Sequence, residues 1–447
     1  MTVTDSTTTT GGDIVGDTTV RRPNRITASR PAEQAATFAS GKPNPIAHLS
    51  PDDIETIGAE LDALRDEVMG SRGEADAKYI RKVITTQRTL EMVSRAVLLF
   101  SKFPPAFVVG TTGLTIAKIL ENTEIGHNIL HGQWDWMRDP KIHSTTWEWD
   151  FASPAEQWKK SHNVGHHTYT NVIGMDNDLG YNILRVDPDQ EWKLGYVFQP
   201  ATNFLNALFF EYGIAAYDLD IKGWKEGTKS AEEFREDLKK VLKKIRAQVT
   251  KDYVVHPLLS GPNFLSTMLA NAIANTIRNV WAHSVIFCGH FPEGVETFET
   301  DSIDDETRGE WYLRQMLGSA NISGSPFMHI MTGNLSHQIE HHLFPDMPSN
   351  RYAQIAPRIR ALMARYDLHY VTGPLPKQVA SAWGKVFKYA LPNKREGASQ
   401  LGEVADAVRL AAAGAVASVK ASRASRATQG FLRRFFRPIR RQVTATA

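Results

Sequence analysis

"SHQIEHHLFP", residues 336–345, sets three imidazoles within six positions: His337, His341 and His342. On a helix, residues four apart share a face with Cβ atoms ~5–6 Å apart, so His337 and His341 can converge on one ion. His342 then points to an adjacent face, where it reaches a second ion or closes the cage. Neutral imidazole is a good ligand for zinc, copper, iron or nickel. The same His-x3-His step occurs twice more, in "HNILH" (His127, His131) and "HNVGHH" (His162, His166, His167). Eight of the fifteen histidines thus fall in three short windows. Core packing gives no reason to gather eight polar rings. Eight nitrogen donors also exceed what one tetrahedral or octahedral ion needs, which points to two ions.

The pattern excludes two other metal chemistries. Soluble four-helix di-metal oxygenases use mainly carboxylates with Glu-x-x-His pairs, and these windows hold a single such pair, Glu124 with His127. His-Glu-x-x-His, the mark of a zinc protease, is absent. Asp135, Asp176 and Asp178 follow the first two windows. Ligating histidines usually pass their other N–H to a carboxylate or carbonyl, so these aspartates are either such partners or solvated loop acids.

Composition narrows the class further. Of 447 residues, 42% are apolar and 22% charged, with a formal net charge of +2. That balance argues against a nucleic-acid binder driven by a global positive field. A single cysteine, Cys288, rules out an intramolecular disulfide and suits a reducing interior. Residues 1–46 are Thr-, Ser- and Pro-rich with no apolar signal core, and read as a disordered tail. An amphipathic helical lead-in over 47–87 follows, where Ser50 caps a helix opened by Pro51. Its Ile54, Ile57, Leu61 and Leu64 form one stripe.

Residues 88–390 have a different texture. A spanning helix needs ~20 apolar residues, and three stretches qualify: 88–122 with a break at Pro104 and Pro105, 194–219, and 263–291. Each is interrupted, by Lys118, Glu211 and Arg278 respectively. A charged helical insert with ten basic residues lies between the last two, over 222–251. Positive loops stay cytoplasmic, so either the insert breaks that rule or 194–219 lies in the interface. Residues 391–447 form a basic tail ending in "GFLRRFFRPIRRQ" (430–442), which reads equally as disordered or as lying on an anionic membrane surface.

At the histidine windows the sequence resembles the integral-membrane fatty acid desaturases, which carry three histidine boxes of this kind. "NTEIGHNILHGQWDWM", "STTWEWD", "RNVWAHSVIFCGHFP" and "GNLSHQIEHHLFPDMPSNR" are similar to actinobacterial NADPH-dependent stearoyl-CoA Δ9-desaturases. The likeness covers about 46–390. It implies an all-α integral-membrane helix bundle, with a cytoplasmic helical cap holding a histidine-ligated di-iron centre. The implied ligands are His127, His131, His162, His166, His167, His341 and His342. The family's third box opens with His or Gln, a position held here by Gln338. The repeated His-x3-His step favours its neighbour His337 instead. A lone histidine before the third box is implied at His290, with His283 as the alternative. Half of the ten tryptophans lie within 134–158; Trp134, Trp136, Trp147 and Trp149 either wall an acyl tunnel or form an interfacial belt.

The implied reaction is O2-dependent insertion of a cis double bond into a long-chain acyl-CoA. Acid–base chemistry cannot remove hydrogens from unactivated methylenes, so no catalytic residue is expected beyond the metal ligands. The chain has no glycine-rich dinucleotide fingerprint, no cysteine set for an iron–sulfur cluster and no fused cytochrome motif. A separate reductase must therefore deliver the two electrons, and the resemblance implies that NADPH is their source. The resemblance places the protein in the cell membrane as a multi-pass chain, with its active site and both termini cytoplasmic. Lipid hydroxylation or epoxidation at the same centre is the sibling alternative. A histidine-rich metal-binding membrane protein without oxygen chemistry is the distant one.

Overall fold

The structure is a computed structural model that describes residues 44–176, 178–394 and 399–413. The expectations for most of 1–46 and for the "GFLRRFFRPIRRQ" tail lie outside the described residues. The fold is mostly helical, and the one paired sheet is a minimal parallel pair: β1 (Asn321–Ser323) beside β2 (Thr372–Pro374), with Asn321 opposite Thr372.

Helix α1 (Pro51–Gly70) starts as its sequence directs, with a capping box between Ser50 and Asp53 and proline in the first turn. Ile57, Leu61, Leu64 and Val68 are buried along it and join the largest core cluster with Tyr312, Phe344 and Tyr352. Helix α2 (Glu74–Leu98) runs to a turn, and Pro104 opens α3 (Pro104–Leu120), which returns beside it. The close α2–α3 approach is set by Gly110 and Gly113: an added Cβ would fall 2.7 Å from Leu98 Cγ and 2.3 Å from Ser94 Oγ.

The stretch 194–219 does not make one long helix. It breaks into a 3-10 turn, α4 (Gln199–Leu208) and α5 (Phe210–Asp218), with the interruption at Phe209 (φ −115°, ψ 29°). The insert forms α6 (Ala231–Val249), capped by Ser230 with Glu233. Helix α7 (Phe264–His290) is 27 residues long, or ~40 Å at the usual rise. It buries a polar stripe of Thr267, Asn271, Asn275, Arg278, Asn279 and His283. Among the described residues, no helix is both long and apolar enough to cross a membrane. The three expected spans therefore do not take that form: the second is broken, and the third spends one face on amides and an arginine. Arg278 is ion-paired to Glu211, and both are about 1% exposed.

Helix α8 (Arg308–Leu317) crosses α1 with Gly309 against the Ile54 backbone. Helix α9 (Gln338–Leu343) carries the third box into the same core, followed by α10 (Tyr352–Arg365) and α11 (Leu375–Tyr389).

Candidate metal centre

The first two boxes do not lie on regular α-helix. Box one closes a π-helical turn, Glu121–His127, and box two sits in another, Lys159–His166. In i→i+5 geometry, side chains five apart come much closer to alignment than they do on an α-helix. Box three lies on α9, which begins only at Gln338. His337 is its N-cap, with φ −102° and ψ 56°, and so stands outside the helix.

The result is two groups of buried histidines, with a third group joining His162 and His166 to Asp178. The nitrogens of His127, His131, His162 and His341 lie within 4.8 Å of one another, as do those of His166, His290 and His342. His127 Nε2 is 3.3 Å from His341 Nε2, and His290 Nε2 is 3.2 Å from His342 Nε2. His167 stacks on His342 at 4.4 Å between ring centroids and meets His131 edge-on at 4.6 Å, between the two groups. Both of its ring nitrogens are buried without a hydrogen-bond partner, as are Nε2 of His131 and of His162. Burial holds His127, His131, His162, His167, His341 and His342 well below the ordinary imidazole range, with neighbouring imidazoles adding to the effect. Neutral, inward-facing and unpartnered nitrogens are the donor set that a nitrogen-preferring transition metal requires.

Other residues fix the rings. Asp176 accepts from His166 Nδ1 at 3.0 Å, and Asp178 from His162 Nδ1 at 3.3 Å. Burial opposes a charge on His166, but Asp176 and Asp178 beside it push it up to about 9. The Tyr352 hydroxyl is 3.2 Å from His341 Nδ1, and Gln315 Oε1 is 3.2 Å from His342 Nδ1. Tyr352 and Gln315 carried no signal in box spacing, since both come from elements remote in sequence. Asp135 is elsewhere: it holds Ser144 through backbone and hydroxyl and stays out of the histidine groups.

One ligand preference drawn from spacing is not what the geometry favours. His337 belongs to neither histidine group; it stacks on His329 at 4.6 Å. Gln338, one position on, puts Nε2 3.0 Å from His290 Nε2, and its Oε1 is buried without a partner. The repeated step misled because it presumed a helix where the chain has not yet begun one. His283 hydrogen-bonds Asn203 at 2.9 Å and stacks on Phe287, leaving His290 as the α7 histidine at the site.

A cavity, open at its mouth, adjoins the first group, with His127 and His162 in its wall. Its other walls are largely apolar and aromatic, including Trp149, Phe151, Trp158, Phe210 and Ile286.

A fatty acid desaturase family model matches residues 103–374, which contain all three boxes and the cavity walls. The chain belongs to the fatty acid desaturase family. This desaturase is 48% identical over 352 residues to the NADPH-dependent stearoyl-CoA 9-desaturase of Mycobacterium tuberculosis, across 78% of this chain and 82% of that protein. It is 25% identical over 277 residues to the sn-1 linoleoyl-lipid 6-desaturase of Synechocystis, across 60% of this chain and 76% of that protein. Human fatty acid desaturase 3 is 38% identical over a shorter 118 residues, 26% of this chain and 24% of that protein. As an oxidoreductase of this family, the desaturase is an enzyme.

Of the four tryptophans assigned to a tunnel, only Trp149 lines the desaturase's cavity. Trp134 is fully buried in a separate core with Ile80, Ile125 and Ile129, and Trp136 and Trp147 lie under Arg72 and Arg88. Trp158, of the same tryptophan cluster, also lines it, and Phe210, Ile214, Tyr217 and Ile286 join the wall with no sequence signature.

Proposed function

We propose that the protein is an acyl desaturase that forms a cis double bond, at Δ9, in a long-chain acyl-CoA. The observation that carries this reading is the apolar-walled cavity reaching His127 and His162 of the first histidine group. A carbon chain laid in that cavity brings two methylenes to the edge of the metal-binding cage and keeps water from them. The Δ9 position and the CoA carrier are supported by the relative from Mycobacterium tuberculosis, whose name states both a stearoyl-CoA substrate and NADPH dependence.

Two iron ions are the cofactor of this reading. His127, His131, His162 and His341 would hold one and His166, His290 and His342 the other, with Gln338 beside His290 and His167 between the groups. The iron pair, when bound, supplies reductive activation of O2, which side chains alone cannot provide. The protein's own part is to orient the imidazoles inward through Asp176, Asp178, Tyr352 and Gln315, and to fix the chain in the cavity. The balance is acyl–CH2–CH2–acyl + O2 + NADPH + H⁺ → acyl–CH=CH–acyl + 2 H2O + NADP⁺. Its two electrons pass through a separate reductase.

The protein is bound to a membrane in this reading, as a multi-pass chain with the metal centre on the cytoplasmic side. Exposed Phe100, Phe103, Val108, Val109, Leu265 and Leu269, around the ends of α2, α3 and α7, support it. An apolar surface of this kind marks a membrane or protein interface. The iron-loaded protein, supplied with a compatible reductase, NADPH and stearoyl-CoA, should consume one O2 per double bond formed. Hydroxystearate as the main product would instead establish the sibling hydroxylation.

A further inference from the structure

Helix α6 has two unlike edges lying side by side. Its inner face packs through Val241, Phe234, Leu238 and Ile245 against Ala152, Ala215 and Leu219. Lys240 and Lys244 are spent on Glu156 and Glu148, and Lys244 also holds the carbonyl of cavity-lining Trp149. The helix is thereby tied to the outside of the cavity wall. Its acids are confined to the first two turns, Glu232, Glu233, Glu236 and Asp237.

Beyond them, Lys239, Lys243 and Arg246 recur at spacings of four and three on one exposed stripe, and make no ion pair among the described residues. Directly beside that stripe runs an apolar edge. Leu242 is 54% exposed and Val249 38%, and exposed Val254, Val255, Leu258 and Leu259 continue it beyond the helix. A row of free cations would suit any phosphate. A row of free cations flanked along its length by uncovered aliphatic side chains suits a surface that offers phosphates and hydrocarbon together.

We infer that α6 lies at the bilayer interface, with Lys239, Lys243 and Arg246 on anionic lipid headgroups and Leu242 and Val249 in the outer acyl layer. This rests on the membrane-bound reading above, but not on the desaturation reaction. It also accounts for the charged insert noted in the sequence: α6 is an interfacial helix that keeps one cavity wall at the membrane surface. Anionic lipid attracts basic residues that lie within a Debye length of it.

The test uses the full chain with a fluorophore on Leu242→Cys; the other thiol, Cys288, is fully buried. Assembly into phosphatidylcholine nanodiscs containing some phosphatidylglycerol is measured first, and a chain that stays out of the discs overturns the membrane reading and this inference with it. Quenching by headgroup-labelled phosphatidylglycerol is then compared with quenching by headgroup-labelled phosphatidylcholine. The expected preference for the glycerol lipid is about threefold or more, falling to parity in K239E/K243E/R246E and in high salt. The iron content of the triple variant, unchanged, shows that its fold is retained. Equal quenching by both lipids in the parent, no quenching by either, or a preference that survives the triple substitution would each overturn the inference. So would a probe response to stearoyl-CoA in pure phosphatidylcholine that exceeds the response to phosphatidylglycerol, which would make the stripe a nucleotide site.

Discussion

Gln338 Nε2 lies 3.0 Å from His290 Nε2, joining the first residue of α9 to the last residue of α7 at the second histidine group. Its neighbour His337 faces the other way, onto His329. Gln338→Ala should therefore lose iron from the second group, with at least a tenfold fall in turnover. His337→Ala should keep both ions and at least half of the activity. Iron stoichiometry of the two purified variants decides between the residues, and loss of an ion in His337→Ala alone would reverse the assignment.

Asp176 is buried against His166 Nδ1 and takes no direct part in either nitrogen group. Removing such a partner typically costs 10–100-fold in metal affinity. Asp176→Asn should fall in that range in an iron-chelator competition. Asp135→Asn, whose carboxylate serves only the Ser144 loop, should leave affinity unchanged.

These two comparisons show where the sequence was informative. Ligand chemistry is written in residue type, so the three histidine boxes stand out in the sequence, whereas His290 came only from the family resemblance. Which histidines share an ion is written in backbone geometry. His162 and His166 stand four apart, and each belongs to a different all-histidine group while both share a third with Asp178. His337 stands outside both histidine groups, at the N-cap of α9. The helical class was legible in the caps and apolar stripes of α1 and α6. The broken α4–α5 pair and the polar stripe of α7 were not, since hydropathy counts residues and does not record which face they occupy. The cavity wall was the least legible part. Its residues come from α5, α7 and the box elements, and its apolar side chains outside the tryptophan cluster carried no sequence signal.

Ile286 reaches the cavity from α7, one turn before His290. Ile286→Trp should block the bound chain and leave the metal ligands untouched. Turnover of an 18-carbon acyl-CoA should fall about tenfold, with iron content equal to wild type and shorter chains less affected. A uniform loss across chain lengths would argue that Ile286 is structural.

Asp252 joins Lys118 at 2.7 Å and Arg95 at 2.9 Å, with the Lys118 and Asp252 side chains almost wholly buried. Burial raises the Asp252 carboxyl, but Lys118 and Arg95 outweigh it and hold the group down at about 2. A depressed carboxyl gives stability that is present above its unfolded value and is lost as pH falls through the folded one. The Asp252 contribution should thus be intact above about pH 4 and disappear toward pH 2. Asp252→Ala leaves buried Lys118 with only the longer 3.6 Å pair to Asp150, and should destabilise the protein by up to about 3–5 kcal/mol at neutral pH. Thermal unfolding followed by the helical signal measures this, and the gap between variant and wild type should close on acidification.

The most direct test is the fatty-acid profile of a host carrying a compatible reductase, with double bonds located by derivatised mass spectrometry, for wild type and His341→Ala. The account predicts a Δ9 monoenoic acid with wild type and none with His341→Ala. An unchanged profile for wild type, with the reductase shown to be active, would contradict it.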